Sequence, residues 1–80
     1  MKFSVTVKLK KNVLDPQGKV VQNTLTRLGM SNLKSIRQGK YFEIEIDEKD
    51  HKIAEEKVGE MCKKLLVNLI IEDYKIDKLQ

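Results

Sequence analysis

Residues 3–9 alternate cleanly between apolar and polar, with Phe3, Val5, Val7 and Leu9 on one side and Ser4, Thr6 and Lys8 on the other. A period of two with β-branched enrichment predicts a half-buried strand. Lys10-Lys11-Asn12 ends it, and Asp15-Pro16 then predicts a helix start: the Asp side chain caps orphan amides, and Pro loses no needed donor at the first helical position. Val20, Val21, Thr24, Leu25 and Leu28 fall within roughly 140° of arc at 100° per residue, which predicts one buried face. Gly29 is placed to stop the helix.

Residues 33–37 and 40–46 read as a hairpin around Gln38-Gly39. In its second arm Phe42, Ile44 and Ile46 face inward and Tyr41, Glu43 and Glu45 outward; the first arm, with Leu33 and Ile36, breaks the alternation, which predicts a bulge or an edge position. Asp47-Glu48-Lys49-Asp50 opens a second helix with acids suited to its positive end. Its predicted inner stripe is Ala54, Val58, Met61 and Leu65, flanked by Ile53, Cys62 and Leu66, and Asn68 is a left-handed exit candidate. Residues 70–76 form a last strand, with Tyr74 and Ile76 on one face and Ile71, Asp73 and Lys75 on the other.

The order strand, helix, strand, strand, helix, strand predicts an α+β class, ferredoxin-like βαββαβ sandwich. Its four-stranded antiparallel sheet has spatial order 4-1-3-2, with both helices on one face. The other face stays open, showing Ser4, Thr6 and Lys8 beside Tyr41, Glu43 and Glu45. An uncovered face with two sheet edges is a natural surface for self-association or a partner.

The 80 residues allow one domain, 1–80, without a linker or repeat. Apolar residues are 40% of the chain and charged residues 35%, a globular balance. So short a chain buries too little to build a deep, water-excluding pocket alone, which favours a subunit or binding module over a self-contained enzyme. No apolar run exceeds three residues, so no membrane partner is expected, and the N-terminus alternates rather than forming a signal peptide. The single cysteine, Cys62, precludes an internal disulfide framework and predicts a cytoplasmic location.

Charge is split by half. Residues 1–40 carry nine basic and one acidic residue, whereas residues 41–80 carry seven and eleven, for a net +4 overall. Only Arg27 and Arg37 offer the bidentate fork used on bases and phosphates, so no nucleic acid partner is expected. RNA-recognition domains share the strand order, but Glu43 and Glu45 beside Tyr41 would repel phosphate from a stacking platform.

No catalytic constellation is visible. His51 lacks companion imidazoles or thiols for a metal, and Cys62 sits on the flank of an apolar stripe and reads as packing. The neighbouring pairs Glu55-Glu56 and Glu72-Asp73 diverge and read as surface charge. Gly18, Gly29, Gly39 and Gly59 form no phosphate loop. The expectation is no catalytic, cofactor or metal residue in this chain.

Several segments taken in order resemble the PurS-type small-subunit family of phosphoribosylformylglycinamidine synthase. They are Lys10 through Asp15-Pro16-Gln17-Gly18, Leu25 through Gly29, Ile36 through Lys40, Glu60 through Asn68, and Ile71-Glu72-Asp73-Tyr74. One position departs: Leu69 stands where the family usually has Pro, which would fix the turn into the last strand. The resemblance implies a non-catalytic accessory subunit of a purine-biosynthetic ligase. In the family a glutaminase subunit (PurQ type) releases ammonia from glutamine. An ATP-dependent ligase subunit (PurL type) uses it to make the amidine, and the small subunit bridges the two and assists ammonia transfer. The resemblance further implies a homodimer or higher homo-oligomer with no cofactor of its own, ATP, magnesium and glutamine belonging to the complex.

Exposure alone, without any family residue role, marks a partner interface of Thr6, Lys8, Arg37, Lys40, Tyr41, Ile71, Asp73 and Tyr74. The alternative reading is an ACT-like small-molecule regulatory module, which shares the strand order. Such modules usually carry a glycine in the first strand-to-helix loop, and here that loop reads Lys10-Lys11-Asn12-Val13-Leu14-Asp15-Pro16.

Overall fold

Strand β1 (Lys2–Leu9) forms over the alternating segment and lies at the centre of a sheet between β2 (Gly39–Glu45) and β3 (Glu72–Lys78), antiparallel to both. Helix α1 (Pro16–Arg27) follows β1, and α2 (His51–Met61) follows β2. The computed structural model describes residues 1–79. Two bonds between Met1 and Ile46, each 2.9 Å, extend the β1–β2 ladder, and Leu79 N–H donates to the Lys2 carbonyl at 2.7 Å to extend β1–β3.

The strand faces fall as the alternation predicts. Phe3, Val5 and Val7 are buried, with Phe42, Ile44, Tyr74 and Ile76 packed around them. Helix α2 closes this face with Ala54 and Val58, joined by Cys62 just past its end, and its cap is Asp50, whose Oδ1 accepts from Lys52 N–H at 2.9 Å and Ile53 N–H at 3.2 Å. Phe3, Val5, Val7 and Val58 are fully buried, and each such side chain contributes roughly 1.5–3 kcal/mol. The caps of both helices thus hold at the expected residues, and Gly29 takes a positive φ of 103° just past α1.

The sheet has three strands, not the expected four. Their order, β2-β1-β3, is the expected arrangement with its outermost strand missing. Residues 33–37, where a hairpin arm was expected, and Gln38 after them form no strand because their polar groups are engaged elsewhere. Gln38 N–H donates to Asp15 Oδ2 at 2.7 Å, the Lys34 carbonyl accepts from Gln22 Nε2 at 3.1 Å, and the Arg37 guanidinium reaches the β1–α1 loop. A segment held sideways in this way has no free ladder to offer β2.

Only one helix covers the sheet, not two. Helix α1 contributes no side chain to the hydrophobic core, and only its Gly18 is buried. Its expected inner face is largely in solvent: Val20 is 64% and Leu28 72% exposed, Val21 and Thr24 are also exposed, and Leu25 is half-buried. The chain is correspondingly elongated, 50 × 26 × 14 Å. Its radius of gyration is 16.2 Å, against about 12 Å for a compact chain of this length.

Three smaller expectations are also corrected. The inner stripe runs through Ala54 and Val58 of α2 to Cys62 and Leu66 beyond it, steps of four that leave Met61 and Leu65 exposed. Residues Cys62–Leu66 form a π-helical turn in which Val67 N–H reaches the Cys62 carbonyl at 2.9 Å, and its wider spacing places Leu66 rather than Leu65 inward. Asn68 is not left-handed; instead its Oδ1 accepts from Ile70 N–H at 3.2 Å and its carbonyl from Glu72 N–H at 2.7 Å, which builds the turn at Leu69 without a proline. Glu72 is buried rather than surface charge: one oxygen accepts from Asn68 N–H at 2.7 Å and the other pairs with Lys40 at 3.3 Å.

Candidate functional site

The sheet face opposite α2 is polar and uncovered. Register places Thr6 between Tyr41 and Lys75, Ser4 between Glu43 and Asp77, and Lys8 between Gly39 and Asp73. Ser4 is nevertheless buried, in contrast to its expected exposure, as a short side chain in the central strand flanked by longer neighbours on both sides. At the end of this face where β1 leaves and β2 enters lies a cleft of about 540 Å³.

Of the eight residues expected at an interface, Thr6, Lys8, Arg37, Lys40, Tyr41 and Asp73 line this cleft. Ile71 and Tyr74 do not. Ile71 lies in the turn before β3, its carbonyl accepting from Lys10 N–H at 2.9 Å, and Tyr74 is half-buried against the hydrophobic core. Val7, Leu9, Lys11, Gln38 and Gly39 complete the lining and were not among the expected interface residues. For the last three the signal was weak, since a lone loop lysine and a turn Gln-Gly are ordinary in any surface connection.

A clasp of two side chains shapes the cleft. Arg37 donates from Nη2 to the Val13 carbonyl at 2.7 Å and the Lys10 carbonyl at 3.2 Å, and from Nη1 to the Lys11 carbonyl at 3.2 Å. Asp15 caps α1 through Gly18 N–H at 3.0 Å with one oxygen and holds Gln38 N–H with the other. The Gln38 and Gly18 amides, with Arg37 close by, hold the Asp15 carboxyl below its ordinary range. Together the two side chains lock the β1–α1 loop to the start of β2. Gly39 is needed there, because a Cβ would come within 2.5 Å of the Val7 carbonyl oxygen.

The cleft is electropositive. Lys40 is matched by Glu72, which leaves Lys8, Lys11 and the fixed Arg37 charge against Asp73. Elsewhere, His51 stacks on Phe3 with ring centroids 6.0 Å apart and lies 3.6 Å from Glu55. Burial pushes the Cys62 thiol up, away from the reactive thiolate. Among the described residues no group of three or more His, Cys, Asp or Glu is placed to hold a metal, and no helix is long and apolar enough to cross a membrane.

Fold and surface define the class: a small α+β scaffold with one covered sheet face, one open sheet face and an outlying amphipathic helix. The particular family follows from comparison. The family model described as PurS, phosphoribosylformylglycinamidine (FGAM) synthase, matches residues 2–80, and the chain belongs to that family. It is 41% identical to the PurS subunit of the synthase from Methanocaldococcus jannaschii, over 99% of this chain and 98% of that protein. The Bacillus subtilis PurS structure superposes with a TM-score of 0.83 at 42% identity, covering 95% of this chain and 94% of that one. A chain of the PurLQS structure from Thermotoga maritima superposes with a TM-score of 0.87 at 32% identity, covering 98% and 95%. As a family member the chain is an accessory FGAM synthase subunit of purine biosynthesis, so the ACT-like alternative is set aside.

Proposed function

We propose that this chain bridges a PurQ-type glutaminase subunit and a PurL-type, ATP-dependent ligase subunit of FGAM synthase and assists the passage of ammonia between them. The observation that carries the reading is the near full-length likeness to a chain of the PurLQS assembly. ATP, magnesium and glutamine are then handled by the larger subunits, in the cytoplasm, with no cofactor on this chain. Ammonia released into bulk water is protonated and lost, so a sealed protein interface has a physical purpose.

Self-association belongs to the same proposal. An elongated protomer with Val20, Leu28 and Met30 more than half exposed along and just beyond α1 leaves apolar surface that a second copy would cover, giving a homodimer or higher homo-oligomer. The partner contacts proposed are the cleft residues named above together with Ile71 and Tyr74. The test is glutamine-dependent amidine formation by the two larger subunits with and without this chain. A large gain with glutamine, and little with free ammonia, is expected. Equal rates with and without the chain refute the bridging role.

A further inference from the structure

We propose that the basic cleft at the β1–β2 end of the open sheet face is a binding site for a phosphate monoester bearing a flat ring, of the size of a nucleoside monophosphate. This goes beyond the bridging role and concerns the free chain, in which the cleft residues proposed above as partner contacts are uncovered. Three features of the cleft point to this ligand. The first is charge: with Lys40 matched by Glu72, the lining sets Lys8, Lys11 and Arg37 against Asp73, and the Asp15 carboxylate lies beside Arg37 just outside it, so the cleft is net positive. A phosphate monoester carries about −1.5 to −2 at neutral pH and gains more from three converging cations than a single carboxylate does.

The second feature is preorganisation. Three carbonyls already hold the Arg37 guanidinium, at 2.7–3.2 Å, so its charge is fixed in place before any ligand arrives. It still has two N–H groups free of those bonds, given the five an arginine carries. Thr6, Gln38 and Tyr41 add neutral donors to the same lining. Less freedom is lost on binding at Arg37, Thr6 and Tyr41, which stand on a clasped turn and on strands, than at the long Lys8 and Lys11 side chains.

The third feature is shape. About 540 Å³ lies within the range of small-molecule sites. Tyr41 is 58% exposed at the cleft, and an exposed ring of this kind is a stacking surface for a base. Phosphate at Lys8, Lys11 and Arg37, with a base on Tyr41, uses both parts of the lining. Glu43 lies on the same face one register step beyond Tyr41, towards Ser4, and disfavours a second phosphate there, so a monophosphate fits better than a polynucleotide.

The test is a titration of the whole chain with inorganic phosphate, ribose 5-phosphate, AMP and adenosine, followed by amide NMR at low ionic strength. AMP is expected to saturate, shifting Thr6, Lys8, Gln38, Gly39 and Tyr41. Ribose 5-phosphate and inorganic phosphate are expected to bind the same amides about fivefold or more weakly, for want of the stacked base, and adenosine to give no saturable change. Lys8→Gln with Lys11→Gln is expected to weaken AMP about tenfold, and Tyr41→Ala to bring AMP down to ribose 5-phosphate. Lys63→Gln with Lys64→Gln removes the same charge from α2's end and is expected to change affinity less than twofold, which controls for net charge. Failure of AMP to saturate overturns the proposal. So does an equal response to adenosine, or an equal loss in the Lys63/Lys64 control.

Discussion

Replacing Leu28 with aspartate places a charge in the middle of the apolar surface that α1 holds away from the sheet. Leu28 is 72% exposed in the protomer, so most of its side chain is still available for burial by a second copy. Full burial of a leucine is worth about 1.5–3 kcal/mol, so covering what remains contributes roughly 1–2 kcal/mol per copy. A two-fold interface uses the residue twice, giving about 2–4 kcal/mol per dimer, or a thirty- to several-hundred-fold rise in the dissociation constant. The protomer itself should lose no more than about 1 kcal/mol, since the side chain makes no core contact and the only cost is a carboxylate at the negative end of α1. Sedimentation equilibrium over a dilution series reads the first quantity, and urea denaturation of the monomer followed by circular dichroism reads the second. Val20→Asp, at 64% exposure, is expected to behave alike. If both variants associate within threefold of the parent while keeping its spectrum, the second copy does not cover this face.

Three further outcomes follow from the packing. Gly59 lies inside α2 without a positive φ, and a Cβ there meets nothing within 4 Å; Gly59→Ala should therefore stabilise by about 0.5–1 kcal/mol in urea melts, and destabilisation would show that the site is not open. Glu72→Ala should cost about 1–3 kcal/mol by orphaning Asn68 N–H, whereas Glu72→Gln keeps an acceptor, loses only the Lys40 pair and should cost less than about 1 kcal/mol; equal losses would contradict that division. Asp15, held below its ordinary 3.8 chiefly by Gln38 N–H, contributes stability that is complete above that value and is lost as pH falls through the lower folded value. The acid-side drop in urea midpoint below about pH 4 should therefore be shallower in Asp15→Asn, and parallel curves for the two proteins would refute the clasp.

Local grammar was legible in the sequence and the structure follows it. Alternation placed β1 and β2, and Asp15-Pro16 and Asp50 capped their helices at the expected residues. These features depend on a few adjacent residues, so neighbouring context rarely overrides them. Most of the cleft was legible too, since Thr6, Lys8 and Tyr41 follow from strand phase and Asp73 from the phase of β3. Glu72 was not: it reads as half of an acidic pair, and only the turn at Asn68 and the reach of Lys40 across the sheet make it a buried acceptor. Nor was the fate of residues 33–37, because the competing partners, Asp15 and the carbonyls bound by Arg37, lie 23 to 27 positions before the residues they hold.

By itself, then, the order of residues determined that β1, β2 and both helices form, where those helices start, and which face of β1 is apolar. The expected strand at 33–37 is absent, and the last strand, expected at 70–76, runs Glu72–Lys78. Tertiary structure alone decided where the apolar faces go: α2 onto the sheet, α1 into solvent, and the third segment out of the ladder. The reason is that amphipathicity is a property of one segment, whereas burial is a relation between two. A stripe such as Val20, Val21 and Leu28 records that a partner is wanted without recording whether it lies in the same chain or another.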